Sequence, residues 1–173
     1  MELVYISGGQ RSGKSRFAQQ LAEEANPLRV YLATARIWDD DFAQRVKRHQ
    51  ADRGHGWHTL EIQKEISRFP LTDFKNQLPV VVLDCVTLWL TNYFTDNQGH
   101  KEKTLEQAKS QWDNFMKLPL RVYAVSNEIG MGLHSETPLG RDFTDVQGFM
   151  NQYISKQAVK AFFMVSGRAL ELS

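Results

Sequence analysis

The chain has 173 residues, 42% of them hydrophobic, which is enough for one well-buried core and short for two. Its 21 basic and 20 acidic residues nearly cancel, so no domain-wide positive field is available for nucleic acid or an anionic membrane surface. The only cysteine, Cys85, excludes an intrachain disulfide and a cysteine-based zinc site, and a reducing compartment is expected.

In chain order, Met1 leads straight into ELVYIS, with no basic segment and no long apolar run, so no secretory signal is expected. Leu3 to Ser7 is β-rich. A glycine-rich turn follows, and Lys14 to Ala25 then has helical spacing at Phe17, Leu21, Ala22 and Ala25. Asn26-Pro27 ends that helix, and Arg29 to Ala33 reads as a second strand. Asp39, Asp40 and Asp41 suit a helix start, and the spacing predicts a helix to about Ala51. Trp57 to Ile62 is predicted as a short strand and Lys64 to Lys75 as a helix.

Pro79-VVVLD is a continuous apolar run, the mark of a strand buried on both faces of a parallel sheet. The apolar stretch around it, Leu78 to Leu90, carries Asp84 at its centre and is too short to span a bilayer. Val86 to Phe94 and Thr104 to Met116 read as helices, with the polar TDNQGHKEK as a loop between them. Arg121 to Val125 is a further buried strand, Asp142 to Lys160 a long helix, and Ala161 to Val165 a last strand. This alternation predicts an α/β fold, a mainly parallel sheet flanked by helices. No repeat, low-complexity tract or linker interrupts it, so residues 1–173 are expected to form a single cytoplasmic domain.

Gly8, Gly9, Gln10, Arg11, Ser12, Gly13, Lys14 and Ser15 match the phosphate-loop pattern, placed after a predicted strand and before a predicted helix. Glycines let backbone N–H groups turn around phosphate oxygens, and the helix amino terminus adds positive potential. Lys14 is expected to reach the β- and γ-phosphates, and Ser15 to ligate Mg²⁺. Asp84, closing VVVLD, is the candidate partner acid for the metal, or else a cap for the helix that follows. No Asn-Lys-x-Asp guanine signature appears, which disfavours a regulatory GTPase.

Within Arg45-Val46-Lys47-Arg48-His49-Gln50, a helix places Phe42, Val46 and His49 on one face. His49 then reads either as a histidine packed at the edge of an apolar stripe or as a nucleophile that takes a nucleotidyl group as a phosphoramidate. Lys47, Arg48 and Arg53 favour its neutral form. His55 and His58 lack a third ligand at metal spacing, and His100 lies in a polar, solvated loop. Trp89 and Trp112 are expected in the core or a subunit contact. Asn127 to Gly132 belongs at the carboxyl edge of the sheet, where such folds bind ligands.

Taken together, GGQRSGKS, YLATA, RVKRHQADRG, WHTLE, VVLDCVTLWLTN, SNEIGMG, RDFTDVQGFMNQ and FFMVSG resemble one family over nearly the whole chain. It is the bifunctional adenosylcobinamide kinase/adenosylcobinamide-phosphate guanylyltransferase family of cobalamin biosynthesis. The resemblance implies a P-loop NTPase-like (RecA-like) fold and two reactions. ATP or GTP phosphorylates adenosylcobinamide. GTP then guanylylates a histidine, and adenosylcobinamide phosphate takes the GMP to give adenosylcobinamide-GDP.

In that family the nucleophilic histidine occupies the place of His49, and the nucleotide pocket maps onto Gly8 to Ser15, Thr34, Ala35, Arg36, Gln50, Ala51, Asp52, Arg53, Glu61 and Asp84. The resemblance further implies Mg²⁺ and a homo-oligomer such as a trimer. Arg48 stands where relatives often carry a second histidine, Asp84 where a glutamate is frequent, and Leu133-His134-Ser135-Glu136 where a proline is common. The acceptor base of the kinase step carries no sequence signature; Glu128 is the candidate. The competing readings are a P-loop small-molecule kinase without a covalent histidine and a non-enzymatic nucleotide-binding subunit.

Overall fold

A computed structural model describes residues 2–40, 44, 54–74, 77–132 and 134–172. The helix expected from Asp39–Asp41 to about Ala51 falls largely on residues 41–43 and 45–53, outside the described residues. Strands β1 (Glu2–Gly8), β2 (Arg29–Ala33), β3 (Trp57–Glu61), β4 (Val80–Asp84), β5 (Arg121–Val125), β6 (Lys160–Val165) and β7 (Arg168–Leu172) form one sheet in the order β3-β2-β4-β5-β1-β6-β7. All neighbours are parallel except β6 and β7, which form an antiparallel hairpin at one edge.

Side chains on adjacent strand residues point to opposite faces, so each central strand feeds two cores. On one face Leu3, Tyr5, Leu32, Val81, Leu83 and Val122 pack against helices α2 (Val86–Asp96), α3 (Lys101–Phe115) and α4 (Pro138–Ser155). Trp89 and Trp112 are fully buried there, and each indole N–H finds an acceptor, the Lys64 carbonyl at 2.7 Å and Gln157 Oε1 at 3.2 Å. On the other face Val4, Ile6, Tyr31, Val82 and Tyr123 meet helix α1 (Lys14–Ala25) through Ala18 and Ala22. The small alanines let α1 approach the sheet closely, which anchors the loop that precedes it.

Several boundaries depart from the expectations. The helix predicted over Lys64 to Lys75 is instead two 3₁₀ turns, Ile66–Arg68 and Leu71–Phe74. Pro70 is the reason: the residue before it, Phe69, takes an extended ψ of 125°, which breaks helical continuity. Helix α4 begins at Pro138 rather than Asp142 and ends at Ser155 rather than Lys160. Thr137 caps it by accepting from the Gly140 N–H at 3.1 Å, with proline in the first turn.

TDNQGHKEK is mostly helical, because α2 runs to Asp96 and α3 starts at Lys101. His100 is exposed as expected, yet its Nδ1 caps α3 by accepting from the Lys103 N–H at 3.5 Å. Strand β7 was not expected. Ser166 and Gly167, both at positive φ (51° and 79°), make the two-residue turn that joins it to β6. No helix among the described residues is long and apolar enough to cross a membrane.

Candidate functional site

The carboxyl ends of β1, β4 and β5 converge on the Gly8–Ser15 loop. Gly8 closes β1 at φ 148°, and a Cβ there would sit 2.6 Å from the Met164 carbonyl oxygen of β6. Gly13 takes the left-handed conformation at φ 99° as the residue that starts α1, and a Cβ there would stand 3.3 Å from Gly167 Cα. Arg11 is left-handed as well, at φ 57°. The loop is pinned from outside, since the Gly167 N–H donates to the Ser12 carbonyl at 2.9 Å and ties it to the β6–β7 turn. Ser12 Oγ is buried without a hydrogen-bond partner, a polar atom inside the loop with nothing to satisfy it.

Lys14 is buried at the start of α1, and its ammonium donates to the Gly9 carbonyl at 2.6 Å. Burial lowers its pKa, while the nearby acidic groups, Asp84 first, then Cys85 and Glu128, act in the opposite direction. Those three groups therefore lie within electrostatic reach of the lysine. Asp84 ends β4, and its Oδ2 accepts from the Tyr31 hydroxyl at 2.8 Å. The cap of α2 is Cys85, whose Sγ accepts from the Leu88 N–H at 3.5 Å, so the alternative role of Asp84 as the helix cap is not realised. Burial pushes the Cys85 thiol up to about 12, which keeps it protonated beside the site.

Thr34, Ala35 and Arg36 follow β2 at the same edge. Thr34 is fully buried, and its hydroxyl donates to the Cys85 carbonyl at 2.8 Å while accepting from the Cys85 N–H at 3.0 Å. Its own carbonyl accepts from Asn92 at 2.8 Å. Arg36 holds Asp96 in a two-pronged ion pair at 2.8 and 3.3 Å, and Lys64 reaches the same carboxylate at 2.8 Å. These two cations hold the Asp96 carboxyl well below the usual carboxylate range.

Glu61 is exposed at the end of β3 and in register with Ala33, which is in register with Asp84. Glu61 and Asp84 thus share one cross-strand row at the sheet edge, with Ala33 of β2 between them. That register is the signal that sequence reading lacked. His49 and Gln50 to Arg53 lie outside the described residues.

A polar cluster drawn mainly from the SNEIGMG and RDFTDVQGFMNQ stretches stands beside the loop. The Glu128 N–H donates to the Gly8 carbonyl at 3.2 Å, fixing this residue to the end of β1. Glu128 Oε1 accepts from Asn151 Nδ2 at 3.1 Å and from the Tyr5 hydroxyl at 3.4 Å. Asn151 is itself held by Ser126 and Gln147, at 2.6 and 2.8 Å. Asn127 is tied through Thr87 Oγ1 to the amino end of α2 at 3.1 Å. Burial first, and the Glu128 charge second, raise the Tyr5 phenol far above its ordinary range, so it remains a donor.

A family model described as cobinamide kinase / cobinamide phosphate guanyltransferase matches residues 4–172. The bifunctional adenosylcobalamin biosynthesis protein CobU of Escherichia coli (strain K12) is 33% identical over 181 residues, covering 98% of this chain and 99% of that protein. The bifunctional adenosylcobalamin biosynthesis protein CobP of Pseudomonas aeruginosa is 35% identical over 172 residues, 96% of this chain and 95% of that protein. Among solved structures, an ATPase from the type III secretion system of pathogenic bacteria superimposes with a TM-score of 0.53 at 10% identity, over 94% of this chain and 50% of that one. That likeness bears on the fold alone.

Proposed function

Since the chain belongs to the cobinamide kinase / cobinamide phosphate guanyltransferase family, we propose a division of its two reactions among named residues. The Gly8–Ser15 loop holds the triphosphate of GTP or ATP for both. In the kinase step the hydroxyl of adenosylcobinamide attacks the γ-phosphorus, the bond to the β–γ bridging oxygen breaks, and a nucleoside diphosphate leaves. In the guanylyl step a neutral His49 ring nitrogen attacks the α-phosphorus of GTP and pyrophosphate leaves. A phosphate oxygen of adenosylcobinamide phosphate then displaces the histidine to give adenosylcobinamide-GDP. The role of His49 rests on family membership and on the RVKRHQADRG match.

Lys14 supplies positive charge to the β- and γ-phosphates, where both reactions develop negative charge. Its present acceptor, the Gly9 carbonyl, is one that a phosphate oxygen would replace. Ser15 and Asp84 are hard oxygen donors of the kind Mg²⁺ takes, and the Tyr31 hydroxyl orients the Asp84 carboxylate. Bound there, Mg²⁺ would neutralise phosphate charge. Thr34, by its bonds to Cys85, fixes the backbone at Ala35 and Arg36, so these two present groups to the ligand in a set position. Glu61 is four strand positions from β1, roughly 19 Å at ordinary strand spacing. At that distance an acceptor-only carboxylate meets the nucleoside rather than the phosphates, with Gln50 to Arg53 completing that side. The 173 residues act as one domain, in a homo-oligomer.

The single observation that carries this reading is the built phosphate loop, with buried Lys14 at its centre and Asp84 one strand beyond Glu128 at the same edge. Incubation with GTP labelled at the α-phosphate tests it. Base-stable, acid-labile label that disappears in His49→Ala is expected. No label on folded protein with Mg²⁺ present would favour a P-loop kinase without a covalent histidine. Tight GTP binding with no turnover of either acceptor would favour a non-enzymatic subunit.

A further inference from the structure

We propose that Glu128 is the proton acceptor for the attacking hydroxyl in the kinase step, and that Asn151 and Tyr5 are positioning residues that set its carboxylate. This rests on the proposed division of reactions above. The first support is place. Strand β5 lies between β1, which carries the phosphate loop, and β4, which carries Asp84. Glu128 follows β5, and its N–H bonds the Gly8 carbonyl at 3.2 Å. Its charge is felt at the Lys14 ammonium, the group expected at the β- and γ-phosphates. A carboxylate here stands at the loop, within electrostatic reach of the lysine expected at the β- and γ-phosphates.

The second support is how the carboxylate is held. Both hydrogen bonds that it accepts, from Asn151 and Tyr5, go to Oε1. Among the described residues no hydrogen bond is formed by Oε2. Asn151, 5% exposed, is fixed in turn by Ser126 and Gln147, both essentially buried. A buried polar network of this kind sets one orientation of the carboxylate and leaves its second oxygen to take a proton.

The third support is access. Glu128 is half-buried, whereas Gly130, Met131 and Gly132 after it are exposed, and a Cβ at Gly132 would meet none of the described residues within 4 Å. Among the described residues, this is the side left open to a bulky alcohol. The other two edge carboxylates serve differently: Asp84 is bonded by Tyr31 and Glu61 stands at the far end of the row. In the step, the acceptor O–H proton passes to Glu128 Oε2 as the oxygen bonds the γ-phosphorus. The diphosphate leaves with the electron pair of the broken bond, and Glu128 later returns its proton to solvent.

The test measures adenosylcobinamide phosphorylation by Glu128→Gln, with α-labelled GTP labelling followed on the same preparation. The amide keeps the shape and the acceptor oxygen but removes the base. Kinase kcat is expected to fall by about 10²- to 10⁴-fold with nucleotide KM within threefold, while the histidine label still forms. Asn151→Ala should lower kcat about tenfold, and Glu128→Gln/Asn151→Ala should lose no more than Glu128→Gln alone, which a purely structural Asn151 would not do.

Near-normal kinase turnover in Glu128→Gln overturns the assignment. So does loss of both kinase turnover and label, which puts Glu128 in the shared nucleotide pocket. Recovery of kcat at high Mg²⁺ also overturns it, making Glu128 a metal ligand. Wild-type protein without either activity overturns the underlying division of reactions instead.

Discussion

The ammonium of Lys14 donates to the carbonyl of Gly9, five residues earlier in the same loop, at 2.6 Å. The loop thus supplies its own acceptor where a phosphate oxygen would stand, and the lysine is ordered before any ligand arrives. Preordering of this kind lowers the cost of binding, because the side chain does not have to be immobilised afterwards.

Lys14→Ala is expected to lower both phosphoryl and guanylyl transfer by at least about 10²-fold, since one charge acts on both transition states. Stability without nucleotide should change by less than about 1 kcal/mol, because the lost hydrogen bond is offset by relief of a buried cation. Steady-state assays beside a denaturant titration check this. Full activity of either reaction would refute the shared loop.

Gly8→Ala places a methyl group 2.6 Å from the Met164 carbonyl oxygen and 2.9 Å from Ser12 Oγ, at φ 148°. Backbone on one side and the pinned loop on the other leave little room to relax. A loss of roughly 2–4 kcal/mol is expected, along with the thermal shift that GTP gives the wild type. Differential scanning fluorimetry with and without GTP reads both.

Cys85 predicts a particular alkaline behaviour. Its thiol, ordinarily near 9.0, is pushed up to about 12 by burial. The folded state then holds a proton that the unfolded chain releases, so stability is full below about pH 9 and falls as pH rises toward 12. The slope is about 1.4 kcal/mol per pH unit in that window. Tyr93, raised from 10.0 to about 12 by burial, adds to it above pH 10. Denaturant midpoints from pH 7 to 11 should show the fall, and Cys85→Ala should flatten it between pH 9 and 10. Native protein at pH 8 should resist alkylation by iodoacetamide.

Local chemistry explains which elements were legible in the sequence. VVVLD and RVYAV announce themselves because a strand buried on both faces needs uninterrupted apolar residues. SGGQRSGKS does so because a phosphate loop needs glycine at fixed places. Lys64 to Lys75 misled because its apolar spacing imitates a helix, and the restraint that Pro70 imposes on Phe69 outweighs the pattern. Thr137-Pro138 and Ser166-Gly167 were signals present in the chain, a cap before proline and a tight hairpin turn, that the longer-range periodicity masked.

By itself the sequence determined an alternating α/β chain, a phosphate-loop pattern at Gly8–Ser15, and a carboxylate at the end of the VVVLD strand, since each depends on neighbours within a few residues. Only the tertiary structure decided which strand lies beside which. The order β3-β2-β4-β5-β1 brings Glu128 to Gly8, 120 positions apart in the chain, and puts Glu61 in the row of Ala33 and Asp84. No local pattern encodes those pairings. They come from burying both faces of one sheet at once, and they fix Glu128, a bare candidate in the sequence, beside Gly8 at the end of β1.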